Sequence, residues 1–384
     1  MKSALSFRLR GVLLGAALGA LAGQAIAGSD PPALVPTPRE IIRRPGTARL
    51  GPAWTICSTR VAEDQAAAQQ LVDESAACYG RAWRVVPVTV GPRTIELRVI
   101  APPNRGPALF AEQGYRLSVT RERVIIEGAT PQGRFYGVQT FRQLLRAHRD
   151  GVIPCLRIED YPALAWRGIS DDISRGQVSR VDDFKAIIRQ LAYYKLNLYQ
   201  LYIEDMFLFE HSGASCRTRG ALTGKDLDEI VAEGRRQHVV VSPIFETLAH
   251  QERMLSLEEH RALAVGNAQW QGDAPPGNAW AALVRTAQSC LSKLAPPNHG
   301  ETAAPAAFSA GNPQALRFVQ ALVDEIAVVT RGPFFSVGGD EWQPPATVAG
   351  AATMAGEDGI ASYGRYLGQL ARHLRESYGC RAMV

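Results

Sequence analysis

From about residue 166 onward the chain switches between two hydrophobic periods, and that switching organises it. Short apolar runs read as strands at 167–173, 198–203, 239–241 and 334–337. Between them apolar residues recur at helical spacing. The sets are Phe184, Ile187, Ile188 and Leu191; Leu227, Ile230 and Val231; and Leu316, Val319, Val323 and Ile326. Such spacing puts each set on one face of a helix. Thr223 can cap the second of these helices, and Asn312 with Pro313 opens the third. A capping oxygen satisfies a free N–H, and proline has none to leave unpaired. Another helix is predicted over about 360–377, leading to a strand start at 381–384. Strands alternating with helices imply right-handed crossovers and a parallel sheet. A closed barrel of this type has eight strands. Four and the start of a fifth fit here, so the pattern predicts the first half of an α/β, (β/α)8 TIM barrel.

Upstream the pattern is that of a small α+β domain. Pro31, Pro32, Pro36 and Pro38 make an extended lead-in, and 61–78 has helical character. Strand-like runs follow at 84–90, 94–100, 115–120 and 123–127. A helix over about 133–146 carries Phe135, Val138, Phe141, Leu144 and Leu145 on one side. Tyr161-Pro162 marks a boundary, which gives an N-terminal domain at 28–160 and a barrel domain at 161–384. The stretch 265–311, rich in Ala, Pro and Gly, reads as an insertion or loop. Its Trp270 and Trp280 could reach a ligand or simply tie the loop down.

Residues 1–27 belong to neither domain. Lys2, Arg8 and Arg10 form a basic n-region, 12–22 an apolar h-region, and Ala25-Ile26-Ala27 a small-residue cleavage site. That is a secretory signal peptide, because the apolar run is too short to span a bilayer. With no cysteine after the cleavage site and no later apolar span, the expectation is a secreted or periplasmic protein without a membrane anchor.

At 384 residues and 46% apolar content the chain can bury a large core. The formal charge is only +5, and lysine occurs only at Lys2, Lys185, Lys195, Lys225 and Lys293. The basic excess is scattered arginine, without the concentrated stripe that a phosphate backbone requires. Nucleic acid is not an expected partner. Six cysteines stand at 57, 78, 155, 216, 290 and 380 with no C-x-x-C. Disulfides are permitted in an exported protein, and small buried hydrophobes are an equal reading. Cys and His are not clustered at ligand spacing, so neither a metal nor a cofactor is expected.

The most specific chemistry lies in Val337-Gly338-Gly339-Asp340-Glu341-Trp342. An apolar strand ends in two glycines, which let the backbone turn or approach a ligand closely. Asp340 and Glu341 then stand where a parallel strand runs out into a loop, the end at which α/β barrels keep their chemistry. Taken alone, the pair could equally be solvated loop residues.

Several ordered segments resemble glycoside hydrolase family 20, the exo-acting β-N-acetylhexosaminidases, from about Leu34 to the last residue. Leu34-Val35-Pro36-Thr37-Pro38 is similar to the family's opening segment. Gly133-Arg134-Phe135-Tyr136-Gly137-Val138-Gln139-Thr140 is similar to the helix closing its N-terminal domain. Trp166-Arg167-Gly168 with Asp172, Ser174 and Arg175 resembles the first barrel strand. Tyr193 to Asn197 and Tyr202-Ile203-Glu204-Asp205 resemble the second unit, and Pro243 through His250 the third-strand end. Gly338-Gly339-Asp340-Glu341 matches the catalytic fourth.

The resemblance implies hydrolysis of terminal β-linked N-acetylhexosamine (GlcNAc or GalNAc) from chitin, peptidoglycan or glycoconjugate fragments. The substrate's own 2-acetamido oxygen is then the nucleophile, the substrate-assisted exception among retaining glycosidases. Glu341 is expected to protonate the leaving oxygen and later activate water, which near neutral pH needs a raised pKa. Asp340 is expected to accept the acetamido N–H. By the same resemblance Arg167 binds the sugar's outer hydroxyls, or else only holds the strand end beside Asp171 or Asp172. Glu204, standing where the family usually has aspartate, and Trp342 are expected at the substrate. His250 is expected behind Glu341, Glu246 as a brace for His250 or a structural residue, and Asp172 as an ion-pair organiser for Arg167 or Arg175. The family's aromatic pocket walls come from later strands, so an inactive fragment or a glycan-binding relative without turnover is the alternative.

Overall fold

The computed structural model describes residues 34–88, 91–102, 107–176, 178–212, 220–264, 307–341 and 359–384. They form two separate sheets. The first has seven strands: β1 (Glu40–Arg49), β2 (Thr55–Cys57), β3 (Arg84–Val86), β4 (Thr94–Val99), β5 (Tyr115–Val119), β6 (Arg123–Gly128) and β7 (Val152–Asp160). Their order is β1-β7-β5-β6-β4-β2-β3. The β1 side is antiparallel and the β3 side parallel. Period-two patterning shows in β5, where Tyr115, Leu117 and Val119 are buried and Arg116 and Ser118 are less so. Helices α1 (Ala62–Tyr79) and α3 (Pro131–Ala147) pack against each other, and α3 packs on β5 and β6; a short α2 (Ala108–Gln113) lies beside α3.

The Gly133–Thr140 motif owes its composition to this packing. A Cβ on Gly137 would stand 2.5 Å from Ile126 Cγ2, so only glycine lets α3 lie this close to β6. Arg134 and Asp64 are both buried and joined by Nη2–Oδ2 at 2.7 Å and Nε–Oδ1 at 2.9 Å, and Arg134 Nη1 donates to Gly128 O at 2.9 Å. Phe135 stacks on His238 of the second sheet's helical layer at 4.8 Å between centroids. The motif therefore closes one domain and seats the next on it.

The second sheet is wholly parallel, in the order β12-β11-β10-β9-β8. Its strands are β8 (Gly168–Asp172), β9 (Leu198–Tyr202), β10 (Val240–Ile244), β11 (Phe334–Ser336) and β12 (Arg381–Met383). Helices α4 (Val181–Tyr193) and α5 (Gly224–Arg236) follow the first two, and Pro313–Thr330 and Gly359–Tyr378 follow later. Thr223 Oγ1 caps α5 by accepting from Asp226 N at 3.0 Å, and Asn312 Oδ1 accepts from Gln314 N at 2.8 Å. These are the first five strands of a (β/α)8 barrel, preceded by a small α+β domain, as the hydrophobic periods imply.

Three strands were not legible from pattern: the three-residue β2, β1 and β7. β1 contains Pro45-Gly46, and its register with β7 shifts between Arg43 and Thr47. β7 contains Pro154, which reads as a breaker but stands where β7 pairs with the shifted part of β1. The expected strand at 84–90 is shorter, Arg84–Val86.

Candidate active site

The carboxyl ends of β8 to β11 gather the acidic residues that their separate motifs supply. Asp172 closes β8, Glu204 follows β9, Glu246 and His250 follow β10, and Asp340 and Glu341 follow β11. Glu204, His250 and Glu341 all have left-handed backbones, with φ of 41°, 56° and 53°. Such a conformation costs on the order of 1 kcal/mol or more in a residue with a Cβ. It persists because neighbouring contacts hold it, and it turns the three side chains toward one another.

Adjacent in sequence, Asp340 and Glu341 take different partners. Glu341 Oε2 stands 3.4 Å from His250 Nε2, and His250 Nδ1 stands 3.9 Å from Glu204 Oε1. An imidazole between two carboxylates can hold a positive charge or relay a proton toward the more exposed of them. Glu341 is that one, with 76% of its side chain open. His250 thus stands beside the Glu341 carboxylate and between it and Glu204.

Asp340 instead hydrogen-bonds the Glu246 carboxyl, which is 1% exposed and accepts Gly339 N–H at 3.0 Å. A Cβ on Gly338, whose φ is +63°, would fall 2.0 Å from Glu246 Oε2, so any other residue would be strained there and would displace that carboxylate. Burial pushes the Glu246 carboxyl up to about 7; the Gly339 N–H opposes the rise, while the charges of Asp340 and Glu204 add to it. Glu246 was expected either to brace His250 or to be structural, and its contacts run to Gly339 and Asp340. The strand end is fixed from behind: Thr247 Oγ1 donates to Val337 O at 2.7 Å, Tyr366 OH to Thr247 O at 2.8 Å, and Tyr363 OH to Gly339 O at 2.8 Å.

The raised carboxyl carries a stability prediction. Folded Glu246 keeps its proton up to about 7, whereas its ordinary value is 4.5. Between those values the folded state binds more protons than the unfolded one, so stability falls as pH rises through that window and levels above it. Thermal melts from pH 4 to 8 should show this slope, and Glu246→Gln should flatten it. An unchanged slope in the variant would assign it to other groups.

Arg167 requires a correction. It precedes β8, so it stands at the amino ends of the strands, away from Asp340 and Glu341. Its guanidinium donates to Lys195 O at 2.9 Å, Leu164 O at 2.5 Å, Gln113 Oε1 at 3.0 Å and Tyr136 OH at 3.1 Å. Its donors are taken up on both sides of the domain boundary, by Gln113 and Tyr136 before it and by Leu164 and Lys195 after it, and neither Asp171 nor Asp172 is its partner. Asp171 accepts from Tyr199 OH.

The arginine at the site is Arg175. Its Nη1 stands 2.6 Å from Glu204 Oε1, its Nε 3.7 Å from Asp172 Oδ2, and its guanidinium lies 5.4 Å from the Tyr202 ring centroid. Asp172 also accepts from Ser174 N and Oγ, so it organises Arg175. Glu204 is thereby a hinge between Arg175 and His250. Arg175 was visible in the sequence within the Asp172–Arg175 segment, but its place past a strand end was the signal that identified it. Trp342, Trp270 and Trp280 lie outside the described residues. Among the described residues no group of three or more His, Cys, Asp or Glu is arranged to hold a metal ion.

Fold and site together define the class: a parallel α/β-barrel domain with paired carboxylates at its strand ends, seated on a mixed α+β domain. Residues 31–161 match glycosyl hydrolase family 20, domain 2, and residues 164–366 match the glycosyl hydrolase family 20 catalytic domain. The chain belongs to glycosyl hydrolase family 20. It is 44% identical over 96 residues to a β-N-acetylhexosaminidase of Cellulomonas fimi, covering 24% of this chain and 19% of that one. It is 27% identical over 246 residues to the β-hexosaminidase subunit beta of Entamoeba histolytica, covering 60% and 38%. The fold matches the β-N-acetylhexosaminidase of Streptomyces coelicolor with a TM-score of 0.66 at 23% identity, over 91% of this chain and 65% of that one. It also matches the exo-β-N-acetylglucosaminidase of Vibrio harveyi, solved with N-acetylglucosamine, with a TM-score of 0.70 at 18% identity, over 91% and 54%. The chain thus spans less than two thirds of the length of these relatives.

Proposed function

We propose that the protein hydrolyses terminal β-linked N-acetylhexosamine from glycans with retention, using the substrate's acetamido oxygen as nucleophile. The observation that carries this is the divergence of two adjacent carboxylates, Glu341 to His250 and Asp340 to Glu246. A mechanism in which the protein supplies no nucleophile needs one acid/base and one acetamido-orienting carboxylate. One short segment provides both, and separate partners give them separate roles. Glu341, open to the cleft and backed by His250, protonates the leaving oxygen and then draws a proton from water. Asp340 accepts the acetamido N–H and offsets the positive charge that develops on the oxazolinium-type ring. Arg175, presented with several rigid donors, suits neighbouring sugar hydroxyls. Fragments of chitin, peptidoglycan or glycoconjugates are the substrate sources, and the leader-like residues 1–27 support action outside the cytoplasm.

The test is a pair of aryl glycosides presented to the full chain. Aryl N-acetyl-β-glucosaminide should release its aryl group, and the plain β-glucoside should not, because the acetamido group is a reactant. Equal turnover of the two would remove the mechanism. The exposure of Glu341 favours a second reading, a glycan-binding relative without turnover. Calorimetry with N-acetylglucosamine beside the assay separates them, since binding without release supports the second.

A further inference from the structure

The Gly338-Gly339 turn does more than let a strand end. The space where Gly338 would carry a Cβ is filled by the Glu246 carboxyl, 2.0 Å from that position at Oε2. The same oxygen accepts Gly339 N–H at 3.0 Å. Glu246 comes from the end of β10, its carboxyl is enclosed, and it meets Asp340 in a side-chain hydrogen bond. Two carboxylates cannot share a hydrogen bond unless one of them carries a proton. The groups facing Glu246 are Asp340 and Glu204, both acidic, and the hydroxyl-bearing Tyr202 and Tyr363. The nearby guanidinium of Arg175 is bound to Glu204, and the nearby His250 lies between Glu204 and Glu341. Of the two acids in the pair, the enclosed one is the proton holder. Burial penalises an ionised Glu246 most, and its raised proton affinity agrees with that assignment.

We propose that Glu246 is a positioning residue for Asp340, a carboxylic acid that donates its proton in a hydrogen bond to the Asp340 carboxylate and so fixes where that carboxylate points. The consequence rests on the hydrolase reading above. Asp340 remains an anion aimed at the acetamido N–H while Glu246 is neutral. Once Glu246 loses its proton, two anions face each other, the hydrogen bond is gone, and Asp340 is no longer held. The site thus carries a limit on the alkaline side that is separate from the protonation of Glu341.

The pairing itself is tested without turnover. The full chain is labelled with carboxyl-13C glutamate, the Glu246 signal is assigned with Glu246→Gln, and it is followed from pH 4 to 9. Glu246 should titrate at about 7. In Asp340→Asn, which removes the facing charge, its midpoint should fall by about one unit or more. Titration of wild-type Glu246 in the ordinary glutamate range, or an identical midpoint in Asp340→Asn, would overturn the pairing.

The positioning role is tested by kinetics with the aryl N-acetylglucosaminide. Glu246→Gln keeps a donor and should stay within a few-fold of wild type at pH 5, with its alkaline limb displaced upward. Glu246→Ala removes the donor and should lose about tenfold or more in kcat. Coincident pH profiles for wild type and Glu246→Gln, or equal losses in the two variants, would overturn it. A wild-type chain without any turnover counts against the hydrolase reading and leaves the carbon titration to decide the pairing.

Discussion

Replacing Glu341 by glutamine is expected to lower kcat for the aryl N-acetylglucosaminide by about 100- to 10,000-fold, the usual weight of a positioned general acid or base. The substitution keeps shape and size, so binding should change little and the loss should fall on kcat. A glutamine amide can neither give a proton to the departing oxygen nor take one from the incoming water, and both steps are assigned to this one group. The loss should be larger for a natural sugar leaving group than for an activated aryl one, because a poorer leaving group depends more on protonation. Asp340→Asn is expected to lose somewhat less, since an amide still occupies the position but cannot offset the developing charge. Steady-state rates on both substrates check this. A Glu341→Gln variant within about threefold of wild type would remove Glu341 from the chemistry and with it the proposed mechanism, since 100-fold is the low end of such a role.

The largest effect on stability is expected far from the site, at Asp64→Ala. Asp64 accepts three hydrogen-bond contacts from Arg134, at 2.7 to 3.0 Å, with both side chains essentially out of contact with water. Removing one partner of a buried pair leaves an uncompensated charge and costs about 3–5 kcal/mol. Among the described residues, Gly128 O would then be the hydrogen-bond partner left to the Arg134 guanidinium. For a domain of this size the corresponding fall in melting temperature is on the order of 10 °C. The double variant Asp64→Ala with Arg134→Met should recover much of the loss, since it removes the stranded charge as well as its partner. Denaturant unfolding of the three proteins decides the matter. An Asp64→Ala loss below about 1 kcal/mol would mean that water reaches the arginine. Because Phe135 and Tyr136 on the same helix turn touch His238 and Arg167, the single variant should also loosen the seat of the barrel sheet.

Much of the architecture was legible before any contact was known. Helix periods located α4, α5 and the helix Pro313–Thr330, and two of the caps predicted for them form as expected. The first sheet was less legible, because β1 and β7 each carry a proline and pair through an irregular register that no local pattern encodes. At the site, the glycine pair and two carboxylates after an apolar run located Asp340 and Glu341 at a strand end. His250, expected behind Glu341, stands 3.4 Å from it, and Glu246, expected as a brace for His250 or as a structural residue, meets Gly339 and Asp340.

The error over Arg167 shows where local reading stops. Arg167 and Arg175 are eight residues apart and flank the same strand, β8 (Gly168–Asp172). A strand rises about 3.3 Å per residue, so five residues separate its two ends by roughly 17 Å. One end joins the N-terminal domain and the other holds the carboxylates. A sequence motif names both arginines without saying which end each faces.

Residue order by itself determined the strand–helix alternation, the parallel sheet it implies, and the two adjacent carboxylates at the end of β11. These follow from periodicity and backbone sterics, which act over a few residues. Only the tertiary structure decided that Arg167 holds domains while Arg175 faces the site, that Glu246 pairs with Asp340, and that His250 stands between Glu204 and Glu341. Those pairings join groups 29 to 94 positions apart in the chain, for Arg175 with Glu204 and for Glu246 with Asp340 respectively. Such proximity, and the burial that sets each group's charge, exists only once the strands lie side by side.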